Sequence, residues 1–185
     1  MNDTKLKDAM KRLHARKDKS YAGAWKRRGE RVSILPNIAR KVDRLEAFVD
    51  HGMELEGETV FDTIVDLFVY AEKYRLFLAE SDVADNSFLP RDAPRPYSDW
   101  NTNFDHLVDR TDFKGGVSLE LSVAIRNTCE LFEEIWAGVD AGASISARQL
   151  WASKLSGLTT QLVGLIIERD SQAVAEFVLQ ETTFR

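Results

Sequence analysis

The sequence predicts an all-α fold, a bundle of four or more helices. Three observations carry this. Apolar residues recur at steps of three and four through several long segments. Strand-like alternation is nowhere sustained. Only 4 Pro and 10 Gly punctuate 185 residues, too few for a fold full of tight turns.

Taken in order, residues 3–18 place Leu6, Ala9, Met10 and Leu13 on one face of a short amphipathic helix, with His14 read as a surface residue. Residues 17–31 break that pattern. The first main helix runs from Ser33 to Asp50, with Pro36 in its opening turn, where the missing N–H is tolerated. Ile34, Leu35, Ile38, Val42, Leu45 and Val49 form its apolar face. Residues 51–57 connect it to a second main helix from about Glu58 to Glu80, and so short a link favours an antiparallel hairpin. Residues 81–99 hold three of the prolines and read as a long Pro-containing loop. A short helix spans Trp100 to Arg110, followed by a turn at 113–116 whose Gly115-Gly116 pair lacks the phosphate-loop pattern. Ser118 caps a helix reaching Trp136, and Ser144 caps a last long helix to about Gln180. Gly157 and Gly164 mark close helix crossings or weak points within it.

These elements fit a single domain over 1–185: a basic head at 1–32, a helical hairpin at 33–80 and C-terminal helices at 100–185. With 44% apolar and 30% charged residues the composition is that of a soluble globular chain. Cys129 is the single cysteine, so no internal disulfide forms, which accords with a reducing compartment. It lies in an apolar-periodic stretch and reads as a buried structural thiol. The charged N-terminus has no apolar signal core. No apolar run approaches the roughly 20 residues of a membrane span, so no membrane is expected and the expected location is the cytoplasm.

Charge is unevenly spread. Residues 1–44 hold 14 Lys/Arg against 5 Asp/Glu, and the remainder holds 11 against 25. A basic head on an acidic body points either to an anionic partner or to packing of head on body.

The chemistry concentrates in the hairpin. Asp43 and Glu46 are three apart on its first segment; Glu58, Asp62 and Asp66 follow at steps of four on its second. Residues at those spacings share a helix face. The second segment is apolar in nearly every other direction, so its carboxylates are expected to be deeply placed. Buried like charges need an offset. Arg40, Lys41 and Arg44 supply one, and a divalent cation such as Mg2+, which favours hard oxygen ligands, supplies another. In the head, Tyr21 and Trp25 stand four apart before Lys26, Arg27 and Arg28. Either the aromatics stack a base while cations meet phosphate, or they anchor the segment to the core.

Residues 15–78, with KDKSYAGAW, then Lys41 to Leu45 as K-x-x-R-L, then Glu58 to Tyr70 as E-x-x-x-D-x-x-x-D-L-x-x-Y, resemble nucleotide-modification-associated domains of phages and bacteria. Those domains are distantly similar to MazG-like all-α nucleoside triphosphate pyrophosphatases. The resemblance implies a Mg2+-dependent pyrophosphohydrolase acting on a (deoxy)nucleoside triphosphate, or a nucleotide-binding relative of one, working as a homodimer or higher homo-oligomer. It implies Asp43, Glu46, Glu58, Asp62 and Asp66 as metal ligands, with Asp62, Asp66 and Glu46 catalytic. Arg40, Lys41 and Arg44 would meet phosphate, and Lys17, Tyr21 and Trp25 the base and sugar. The chain departs from the family pattern in two places: its first helix has no E-E-x-x-E cluster, and its second acidic pair is spaced by four rather than three.

The alternative reading is a non-catalytic interaction protein. Its acidic residues would pair with Arg40, Lys41 and Arg44, and its basic head would contact nucleic acid or a protein partner.

Overall fold

The computed structural model describes residues 3–21, 24–52, 58–81, 100–113 and 119–183. All regular elements among these are helical. They are α1 (Asp3–Tyr21), α2 (Ala24–Arg27), a π-helical turn (Glu30–Ile34), α3 (Leu35–His51), α4 (Val60–Ser81), α5 (Trp100–Arg110), α6 (Leu121–Asp140), α7 (Ile145–Arg169) and α8 (Ser171–Thr183). The all-α expectation holds. The Pro-containing loop predicted at 81–99, the turn at 113–116 and the Ser118 cap fall almost wholly outside the described residues.

Helix α4 is the axis of the bundle because its sequence leaves it no polar side wide enough for water. Phe61, Ile64, Val65, Leu67, Phe68, Ala71, Tyr74, Leu76 and Leu78 are all buried, and they point in every direction around the helix. A helix apolar on all sides must be enclosed. It packs chiefly on α7 and α3, with α5, α8 and α1 against its remaining surface. The α6–α7 pair packs back on α3, so two hairpins form the core. Aromatic edges fasten the outer helices to this axis. Phe61 meets Phe177 of α8 at 5.5 Å between ring centroids, and Phe68 meets Phe113 at 5.2 Å. Each such buried side chain contributes roughly 1.5–3 kcal/mol.

Several boundaries differ from expectation for local reasons. Helix α1 runs on to Tyr21, and its apolar face of Leu6, Ala9, Met10 and Leu13 is buried as predicted. His14 is not a surface residue: it is 1% exposed and its ring lies 4.0 Å from that of Phe104. The predicted last helix to Gln180 is two helices. Asp170 leaves helical geometry at φ −137°, ψ 75°, and its carboxylate accepts from the Ala173 N–H at 2.9 Å, starting α8. Ser144 caps α7 as predicted, accepting from Ala147 N–H at 3.3 Å. By length and composition alone α7 is apolar enough to cross a membrane, a property that core helices share; half of its most apolar stretch is buried within the bundle.

Gly157 marks no close helix crossing, whereas Gly138 does: an added Cβ there would stand 2.2 Å from the Trp151 ring. Gly138 therefore lets α6 and α7 approach across an indole. At Gly157 the space is open.

The basic head packs on the acidic body. Lys11 meets Asp109 at 2.8 Å and Arg16 meets Glu181 at 2.6 Å. Arg31 donates to the Val139 and Asp140 carbonyls at 3.0 and 2.8 Å, at the C-terminal end of α6 where a cation suits the helix dipole. Glu30, 8% exposed, accepts from Tyr74 and Arg148 and ties the π-helical turn to α4 and α7.

Candidate functional site

The π-helical turn and α3 run together, so Pro36 sits where a helix start tolerates it. From there Asn37, Arg40, Lys41 and Arg44 recur at steps of three and four and form one stripe of α3. Asp66, Tyr70 and Lys73 form the matching stripe of α4, again at steps of four and three. Lys17 of α1 and Trp25 of α2 close the third side. Together they line a cavity of about 360 Å³. Among the described residues, five cations face it against one carboxylate, Asp66.

Asp66 is held by two lysines. Lys41 Nζ lies 2.7 Å from its Oδ2, and Lys17 Nζ bonds its Oδ1. Burial pushes the Asp66 carboxyl up, but the charges and hydrogen bonds of Lys17 and Lys41 outweigh this and hold it below its ordinary value. Arg44 is paired with Glu58 at 2.6 Å, from the end of the connector. Arg40 donates to the Asn37 side chain. Lys73 is 3% exposed, and its Nζ stands over the rings of Trp25 and Tyr70 at 4.9 and 5.3 Å from their centroids. Burial pulls the Lys73 amine down to about 8, with Asp18 and Asp66 opposing that shift and Lys17 adding to it.

Beyond the Lys17–Asp66–Lys41 bridge lies a second recess of about 340 Å³, reached by Arg16, Arg44, Glu58, Asp62 and Glu181 as well as the bridge residues. Here cations and carboxylates balance. The bridge forms a wall common to both cavities.

The expected carboxylate convergence is not built. Asp43 and Glu46 are exposed. They lie about 200° and 140° around α3 from Lys41, at 100° per residue, on the side turned away from α4. Glu46 borders a recess with Arg126 and Cys129 of α6 instead. Glu58 precedes α4 rather than continuing its stripe, and it is engaged by Arg44. Asp62 caps its own helix: it accepts from Thr59 N–H and Thr59 Oγ1, both at 2.8 Å, and its N–H donates to Thr59 Oγ1 at 3.2 Å. That is a reciprocal capping box. Among the described residues, no three of His, Cys, Asp and Glu gather as a metal ion would need. Asp66 has each oxygen on an ammonium, so the donor set does not fit Mg2+.

The structure does gather the residues expected to meet phosphate together with two of those expected to meet base and sugar. Arg40, Lys41, Arg44, Lys17 and Trp25 all line the first cavity. Trp25 is a wall rather than an open stacking face: it is 5% exposed, its Nε1 donates to Asp18 at 2.9 Å, and Lys73 covers its ring. Tyr70, half-buried at the rim, offers more ring. Tyr21 ends α1, but its side chain is not among those described. Lys73 and Tyr70 were missed by sequence reasoning, although their spacing from Asp66 signalled a common face.

Cys129 is a buried thiol 4.0 Å from the Val42 carbonyl, pushed up to about 12 first by burial and next by Glu46. It is no nucleophile at neutral pH. Likeness to known proteins adds nothing to this account, because no family model, curated protein or solved structure matches the chain.

Proposed function

We propose that the protein binds a phosphorylated nucleotide in the cleft between α3 and α4. The observation that carries this reading is the excess of cations around a cavity of about 360 Å³, with Asp66 the single carboxylate among its described lining residues. Such an excess is costly unless an anion occupies it, and guanidinium and ammonium groups make charge-assisted bonds to phosphate oxygens. The cavity is of a size that takes small-molecule ligands. Tyr70 supplies a ring beside the cations for a base or sugar.

Binding is proposed here without a metal-dependent hydrolytic step, since Glu58, Asp62 and Asp66 are engaged by other partners and Asp43 and Glu46 are exposed on another side of α3. The alternative of a head that docks on nucleic acid has less support. Lys11, Arg16, Lys17 and Arg31 of the head already engage the body.

The test is isothermal titration of the purified chain with a panel of nucleoside mono-, di- and triphosphates, with and without magnesium. Binding that survives chelation and falls at least tenfold in Arg40→Ala/Arg44→Ala is the expected result. No binding by any nucleotide, or binding indifferent to that double substitution, would overturn the reading.

A further inference from the structure

Among the described residues Lys73 is the buried cation of the cleft that lacks a carboxylate partner, whereas Arg40, which bonds Asn37, is exposed. Lys41 and Lys17 share Asp66, and Arg44 has Glu58. Lys73, at 3% exposure, has no ion pair among the described residues. Its ammonium faces two aromatic rings and the cavity. Ring faces compensate only a small part of the desolvation of a buried charge. The lowered proton affinity of this amine is the same cost seen from the other side. With Asp18 and Asp66 acting on it only from beyond ion-pair distance, an ammonium in such a cleft is completed by an anion from the ligand.

Position then restricts the ligand. Lys73 lies seven residues from Asp66 on one face of α4, which is roughly 10 Å along the helix. The Lys17–Lys41 grip is at the Asp66 end. Lys73 and the Lys17–Lys41 pair are thus anchored at different heights of one cavity.

We propose that Lys73 receives a second, separate anionic group of the ligand, so that the cleft selects nucleotides phosphorylated at two positions of the ribose, of the nucleoside 3′,5′-bisphosphate class, over those with one phosphate chain. This rests on the nucleotide-binding reading above and sharpens it. In this arrangement the 5′-phosphate meets Lys17, Lys41 and Arg44. The 3′-phosphate meets Lys73, and the ribose spans the interval beside Tyr70.

The experiment compares adenosine 3′,5′-bisphosphate, ADP and AMP by isothermal titration without metal, on wild type, Lys73→Met and Lys73→Arg. ADP matches the bisphosphate in phosphate number but carries both groups on one side. The expected result is binding of the bisphosphate about tenfold tighter than ADP in wild type. That preference should disappear in Lys73→Met and persist in Lys73→Arg. Equal affinity for the bisphosphate and ADP, with both binding, overturns the selectivity and leaves the nucleotide reading in place. A preference that survives Lys73→Met overturns the role of Lys73. Absence of binding by all three overturns both readings.

Discussion

Asp66 Oδ2 lies 2.7 Å from Lys41 Nζ across the α3–α4 hairpin, while Lys17 of α1 bonds the other oxygen of the same carboxylate. One acid thus holds two cations from two helices at the wall between two cavities.

The sign of the Asp66→Asn effect follows. The amide keeps the shape but loses the charge, so neither lysine divides its charge between Asp66 and a ligand anion, and affinity for ADP should rise by about three- to tenfold. Stability should fall at the same time, by roughly 1–3 kcal/mol. Removing one partner of a buried pair is costly, and the 32% exposure of Lys17 moderates the loss. Titration calorimetry and urea unfolding measure the two effects. A collapse of affinity in a folded variant would mean that Asp66 binds the ligand directly or through a cation, the opposite role.

Asp62 and Thr59 separate capping from chemistry. Thr59→Ala removes the acceptor at the start of α4 and should cost about 1 kcal/mol of stability. Asp62→Ala removes the reciprocal half of the box and should cost a similar amount. Neither should change ADP affinity more than about twofold, since neither residue lines the cationic cavity. Thermal melts and titrations on both variants check this. A tenfold loss of affinity in Asp62→Ala would restore a ligand-binding role for that carboxylate.

The helical hairpin and its cations were legible because both rest on local spacing. Steps of three and four fix a face whatever surrounds it, so Arg40, Lys41 and Arg44 could be grouped before any packing was known. What spacing does not fix is which way the face turns. Asp43 and Glu46 share α3 with those cations, yet α3 sets its cationic stripe toward α4 and these acids to the other side. Asp62 obeys a second local rule, the T-x-x-D capping box, which competes with a shared-face reading and prevails at a helix start. Lys73 was hidden for a different reason. Its significance comes from burial under Trp25, a residue 48 positions earlier, and no local pattern reports that contact. His14 misled similarly, since its neighbour Phe104 arrives from α5.

Gly138 should tolerate no side chain while Trp151 stays in place. In Gly138→Ala the new methyl would meet the indole at 2.2 Å, so the ring must swing away from its bond to Glu134, now 2.9 Å. The expected cost is about 1–3 kcal/mol. The cause is identified by a double-mutant cycle with Trp151→Leu: the Gly138→Ala penalty should shrink by at least half when the indole is absent. Strict additivity would place the strain elsewhere.

Lys73 makes the stability of the chain depend on alkaline pH in a direction opposite to that of an ion-paired lysine. Its folded value is lowered to about 8, below the 10.5 expected when unfolded. Between these the unfolded state binds the extra proton, so stability attributable to this group rises with pH through that window and is fully penalised below about 8. The penalty at neutral pH is on the order of 3 kcal/mol. Lys73→Met, of similar length and without the charge, should therefore be more stable than wild type at pH 7, and the difference should narrow steadily toward pH 10.5. Urea midpoints of both proteins between pH 6.5 and 10.5 measure it. A constant difference across that range would mean that the Lys73 amine titrates normally. A site that stores such a cost at a position lining a cleft, and gives it up when the charge is removed, is what the proposed ligand-binding role of Lys73 requires.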